Sequence, residues 1–395
     1  MIYLDHHATT PCDPRVLAAM LPWFIARFGN AGSVEHQLGR DAAEAVEEAR
    51  DHVAQLIGAT SSEIIFTSGA TESNNLAIKG AARLAVSLGD PRRRIVTLAT
   101  EHHAVLDCVA DLAAEDFEPI ILPVGRNGLL DPAVLEAALG VPTLLVSVMA
   151  VNNEIGVMQD LPALGAMVKA AGSAFHIEAA QAAGRVTLDV AAMHADLVSL
   201  SAHKMYGPKG VGALYIRRRP RMRLASLISG GGQERGLRPG TLPVPLIVAM
   251  GEAARLTLIE GPEDARRMDR LAQRMLGRLR AAVPGVILNG DAARRVAGNL
   301  NLTFPTGDSV SLMDAAPELC VSTSSACTTT ADGRVGASHV LTAIGLTVDE
   351  ARRSLRIGLG RTTSDSDADR AVDMLVSAVR GAAVARSAVD EATGR

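Results

Sequence analysis

At 395 residues, 48% of them hydrophobic, the chain is long enough for two domains that each bury a core. Lys and Arg number 39 against 43 Asp and Glu, and the net charge of −4 gives no electrostatic reason to expect a nucleic-acid or other polyanionic partner. The longest mostly apolar run, 141–151, is interrupted by Pro142, Thr143 and Ser147 and falls far short of the ~20 residues that span a bilayer, so no membrane segment is expected.

In chain order, Ile2-Tyr3-Leu4 enters a strand at once, with no basic or long apolar leader before it, which makes the cytoplasm the expected compartment. Its reducing conditions disfavour disulfides among Cys12, Cys108, Cys320 and Cys327, and these four also lack metal-ligand spacing. Between about 60 and 220, short β-branched runs alternate with longer Ala-rich stretches, the pattern of a mostly parallel α/β sheet. Seven strands are predicted, at 63–67, 94–99, 119–122, 143–149, 174–177, 196–201 and 212–216, and helices at 42–56, 73–88, 104–114 and 161–171. Past the glycines 230–232 come a helix over 246–258, a separate charged helix around 263–282, and short strands at 286–288, 299–304 and 354–357. The expected organisation is a large domain over 14–258, with 1–13 and 259–395 forming a smaller α+β domain.

Several segments carry candidate chemistry. Thr67-Ser68-Gly69-Ala70-Thr71-Glu72 ends a strand and opens a helix, so Ala70 and Thr71 offer first-turn N–H groups and a hydroxyl to an anion on the helix dipole; an ordinary N-cap is the alternative. His102 and Asn153 each follow a strand and therefore share a rim. Glu178 ends the strand at 174–177, where a carboxylate could pair with a protonated ring nitrogen or could simply be solvated, and Gln181 lies just beyond it. Ser201-Ala202-His203-Lys204, before a Gly/Pro turn, suits a lysine that holds a carbonyl cofactor covalently while its neighbours hold a phosphate, although a surface lysine before a turn looks similar. The polar run 322–330 cannot be core, which exposes Cys327 on a loop where a thiolate is reachable. Cys108 and Cys320 read as buried packing residues, and nothing near Cys12 would activate it. Arg356, in a strand between small residues, is either a bidentate carboxylate clamp or an edge-strand surface arginine.

In their order and spacing these segments resemble the cysteine desulfurases, the class V group of fold-type-I pyridoxal-phosphate enzymes. The likeness takes in Tyr3-Leu4-Asp5-His6-His7-Ala8-Thr9-Thr10, Gly29-Asn30-Ala31-Gly32-Ser33 and Gly230 through Thr241, and so covers nearly the whole chain. It implies that pyridoxal 5'-phosphate is carried by Lys204, with His102 stacked on the ring and Gln181 at the ring hydroxyl. Ala70, Thr71, Ser201 and His203 would hold the phosphate, and Thr241 would reach the phosphate of a neighbouring subunit, which implies a two-fold homodimer. Asn153 and Arg356 would bind the carboxylate of L-cysteine, Lys204 would move the Cα proton, and Cys327 would receive the sulfur before passing it to an acceptor protein such as an iron–sulfur scaffold. A class V aminotransferase, a selenocysteine lyase and a weakly active sulfur-relay subunit are the competing expectations. Three features depart from the family pattern: Glu178 stands where Asp is usual, Ser324 replaces a loop glycine, and the chain ends soon after its last helix, short of the usual extension that contacts a scaffold.

Overall fold

The computed structural model describes residues 1–323 and 336–393, so Cys327 and Ser324 lie outside the described residues. Strands Thr143–Met149, Leu197–Ser201 and Gly212–Ile216 are buried along their whole length, and Ala174–Glu178 over all but its first residue. Such uninterrupted apolar runs are what a sheet covered on both faces requires. They lie in one seven-stranded sheet in the order Ile64–Thr67, Gly212–Ile216, Leu197–Ser201, Ala174–Glu178, Thr143–Met149, Arg94–Leu98, Glu118–Leu122. Gly212–Ile216 runs antiparallel to both neighbours, and every other pairing is parallel.

Successive residues of a strand face opposite sides, and the apolar packing on the two faces of the sheet divides accordingly. Ile65, Leu145, Leu197 and Leu214 pack under helices Ala70–Ser87 and His103–Asp111, while Ile64, Val146, Val198 and Ala213 face helices Gln37–Leu56 and Leu161–Ala170. Register brings Met149 beside Glu178 and Glu178 beside Ser199, so the parallel strands finish on a common rim. A second core forms around a four-stranded antiparallel sheet, ordered Ser322–Thr323, Ser354–Gly358, Asn299–Thr303, Ile287–Leu288. The N-terminal strand Ile2–Tyr3 pairs in parallel with Leu319–Cys320, placing the first residues of the chain against its last third.

The two helices read at 246–258 and around 263–282 are a single 39-residue helix, Val244–Ala282, that passes through Pro262. Proline removes one helical N–H and crowds the preceding turn, a strong local reason to stop. Burial on both sides overrides it, because Val244, Ile247 and Leu256 enter the large-sheet core while Met268, Leu271 and Met275 enter the second. Helix Gln37–Leu56 also starts five residues before the expected 42, capped by the His36 ring accepting the Gly39 N–H at 3.1 Å. No helix among the described residues is long and apolar enough to cross a membrane.

Candidate active site

Where the parallel strands end, a cavity of about 490 Å³ opens between the large sheet and the Arg356 strand. Ligands collect at such strand ends. Gly69, at φ +155, turns the chain from strand Ile64–Thr67 into helix Ala70–Ser87, and Gly212 approaches it so closely that a Cβ there would stand 2.6 Å from the Gly69 Cα. Gly69 offers no side-chain cap, which leaves the first-turn N–H groups at Ala70 and Thr71 facing the cavity. Glu72 braces the turn, accepting the Ser68 N–H at 2.7 Å and pairing with Arg238 at 3.0 Å. The buried Asn74 Oδ1 has no hydrogen-bond partner among the described residues.

Strand Leu197–Ser201 runs into the 3₁₀ turn Ala202–Lys204, which drives the lysine inward. Lys204 Nζ donates to the carbonyls of His7 at 2.5 Å and Ala8 at 2.7 Å. Burial, then the charges of Arg356 and Arg185, push its pKa down to about 7. Glu178 closes its strand at 3% exposure, and its Oε1 accepts the Ala180 N–H at 2.8 Å. Burial raises its pKa to about 7 against the opposing pull of that N–H and of Lys204. Gln181 is held in one orientation by His7, whose Nδ1–H donates to Oε1 at 3.2 Å while Gln181 Nε2 donates to the His7 carbonyl at 2.7 Å.

His102 caps helix His103–Asp111 by accepting the Ala104 N–H on Nδ1 at 3.0 Å, so the neutral ring carries its proton on Nε2. Burial first, and Lys204 second, hold its pKa near 4. His203 is likewise pushed to about 4, chiefly by burial, and its Nδ1 lies 3.1 Å from Thr9 Oγ1. Ser201 lines the cavity beside it.

Arg356 is not a surface residue on an edge strand. It sits inside the four-stranded sheet at 5% exposure, donates to the Asn153 carbonyl at 3.0 Å and pairs with Asp5 at 2.9 Å. Its Nε and the Asn153 Oδ1 are buried without partners among the described residues. Glu154, next in chain, accepts the Ser338 hydroxyl at 2.5 Å and is raised by burial to about 7.

The cavity thus gathers Ala70, Thr71, His102, Asn153, Glu178, Gln181, Ser201, His203, Lys204 and Arg356. Thr241 is exposed and lies off its wall, and Cys327 falls outside the described residues. Cys108 is buried, with its thiol pushed up to about 12, whereas Cys320, expected to be buried, is only half-buried on its edge strand. Asp5, His7, Glu154 and Arg185 also shape the site, and sequence reasoning assigned them no role. For Asp5 and His7 the signal was present in the polar run Asp5-His6-His7, since charged and imidazole groups directly after a strand need partners.

The model of the class-V aminotransferase family matches residues 2–371. A cysteine desulfurase IscS of Anaeromyxobacter sp. (strain Fw109-5) is 50% identical over 379 residues, covering 96% of this chain and 92% of that protein. A solved NifS-like protein superposes with a TM-score of 0.86 at 32% identity, over 95% of this chain and 98% of its own. SspA, solved in complex with cysteine, gives a TM-score of 0.80 at 35% identity, over 92% of this chain and 100% of its own. With this fold, this rim of residues and these relatives, the chain belongs to the class-V aminotransferase family and, within it, to the cysteine desulfurases.

Proposed function

We propose that the protein is a pyridoxal-phosphate-dependent cysteine desulfurase that converts L-cysteine to L-alanine and places the sulfur on Cys327. The observation that carries this reading is Lys204, a buried amine held toward the proton-free state at a strand end, with a carboxylate and an imidazole in the same cavity. The residues present fit the cofactor. The uncapped turn at Ala70 and Thr71, with Ser201 and His203, suits a phosphate, and Glu178 suits a ring nitrogen despite its extra methylene. Gln181, already fixed by His7, keeps one amide N–H for a ring hydroxyl, and His102 offers its ring face. When bound, the cofactor supplies an electron sink for bonds broken at the substrate Cα and Cβ.

The chain supplies the rest. Lys204, the attachment point, takes the Cα proton on Nζ once the substrate amine replaces it. Arg356 exchanges Asp5 for the substrate carboxylate, with Asn153 alongside. The Cys327 thiolate attacks the substrate sulfur; an S–S bond forms, the Cβ–S bond breaks, and its electron pair passes to the carbon skeleton, which takes up a proton and leaves as alanine.

The remaining assignments have their own support. Leu21, Phe24, Ile25 and Phe28 form an exposed apolar surface that suits a homodimer, and Thr241, off its own cavity, suits a role at the partner's phosphate. The cores around the large sheet and around the four-stranded sheet support a division into 14–258 and 1–13 with 259–395, and a smaller cluster of Ile155 and Val157 with Val340, Leu341 and Ile344 joins the two. The free thiols of Cys12, Cys108 and Cys320 suit a reducing cytoplasm. A persulfide needs a thiol acceptor, so a sulfur-accepting protein, such as an iron–sulfur scaffold, completes the cycle. The deciding assay supplies L-cysteine, the cofactor and a thiol reductant to the full chain: alanine and sulfide in equal amounts are expected, and no alanine would overturn the proposal.

A further inference from the structure

Arg185 enters the interior just past the turn that supplies Glu178 and Gln181, and it is buried at 7% exposure. One of its nitrogens, Nη2, donates to the His6 carbonyl at 3.0 Å; Nε and Nη1 have no partner and no carboxylate pairs with it among the described residues. A guanidinium keeps its proton in any protein, and an unpaired buried cation is among the costliest groups a fold can hold. A group retained at that cost calls for a reason.

Three consecutive carbonyls link this cation to the active lysine. His6 O takes Arg185, while His7 O and Ala8 O take Lys204. The rail they form is wedged against the Arg356 strand, since a Cβ on Gly358 would stand 2.5 Å from the His7 ring and one on Gly360 would collide with the His6 ring. The charged and titratable groups facing Lys204 are Arg356, Arg185, Glu178 and Asp5, with the imidazoles of His7, His102 and His203. Burial keeps the three imidazoles neutral, and Arg356, the larger of the two cationic influences on the amine, has Asp5 at 2.9 Å to offset part of its charge. Arg185 is the cation in this set with no acid of its own.

We propose that Arg185 is a positioning residue for Lys204: through the His6–Ala8 carbonyls it fixes where the amine sits, and its unneutralised charge repels a proton from that amine. The inference deepens the reading of Lys204 as the cofactor's attachment point, and it is tested without the cofactor. In the cofactor-free full chain, the pH dependence of Lys204 acetylation by acetic anhydride, read by peptide mass spectrometry, reports the fraction of free amine. Arg185→Gln keeps a donor for His6 O but removes the charge; its midpoint should move up by about one pH unit, roughly a tenfold loss of Lys204 reactivity at neutral pH. Arg185→Lys restores the charge and should return the midpoint to that of the parent, which a merely space-filling role would not require. A folded Arg185→Gln protein with the parent midpoint overturns the proposal. If Arg185→Gln does not fold by circular dichroism, the parent decides: a buried charge is little screened, so its midpoint should hold between about 0.05 and 0.5 M salt. A midpoint that climbs with salt assigns the effect to surface charge and overturns the proposal. Failure of the cofactor to attach at Lys204 would overturn the functional reading and leave this result standing.

Discussion

Replacing Glu178 by Gln separates the stability cost of a carboxyl from its use. In the unfolded chain this group ionises near 4.5, while burial in the native site raises it to about 7. Between those values the unfolded chain has released a proton that the folded chain retains, so stability falls as pH rises across the window and the cost is complete above it. A move from 4.5 to about 7 corresponds to roughly 3 kcal/mol. Gln fills the same space and still accepts the Ala180 N–H, so the cofactor-free Glu178→Gln protein should be more stable than the parent at pH 8 by about 2–3 kcal/mol, with the gain fading toward pH 5. Urea unfolding of both proteins at the two pH values measures this. In the holoenzyme the same substitution should remove most turnover while leaving the cofactor bound, and Glu178→Asp should keep substantial activity. A Gln variant that is less stable at pH 8, or whose gain does not change with pH, would show that the buried Glu178 carboxyl does not carry this cost.

Borohydride reduction of the holoenzyme should fix the cofactor to the Lys204 peptide, and Lys204→Ala should abolish that adduct; an adduct on Lys209 would move the site. Arg356→Ala leaves Asp5 without its 2.9 Å partner and the substrate carboxylate without its clamp, so kcat/KM for L-cysteine should fall by about 100-fold or more, carried mainly by KM. An unchanged KM would remove Arg356 from substrate binding. Ile25 is 78% exposed within the apolar surface of residues 21–28, and Ile25→Asp should shift sedimentation from dimer toward monomer. A parent protein that sediments as a monomer would refute the dimer.

What could be read from the sequence follows from the range of the forces involved. The central strands announce themselves because a sheet buried on both faces needs continuous apolar runs, which are local features. The rim residues follow from the strand ends, since Glu178 closes one strand and Lys204 lies one turn past another. The Asp5–Arg356 pair joins residues 351 apart, and the Gln181–His7 clamp joins residues 174 apart, so no local pattern contains them. Pro262 misled for the opposite reason: its local signal is strong, yet two cores at either end of one helix outweigh it. Arg185 looks like any other arginine in the sequence, because its burial, and the lack of a carboxylate beside it among the described residues, are properties of the packed chain alone.

On the proposed function, sulfur leaves L-cysteine for one particular thiol. A single turnover with L-cysteine, without reductant, followed by peptide mass spectrometry shows which thiol receives it. One added sulfur is expected on the Cys327 peptide, matched by an equal amount of alanine, with Cys12, Cys108 and Cys320 unmodified. Alanine without sulfur on Cys327, or equal labelling of another cysteine, would contradict it.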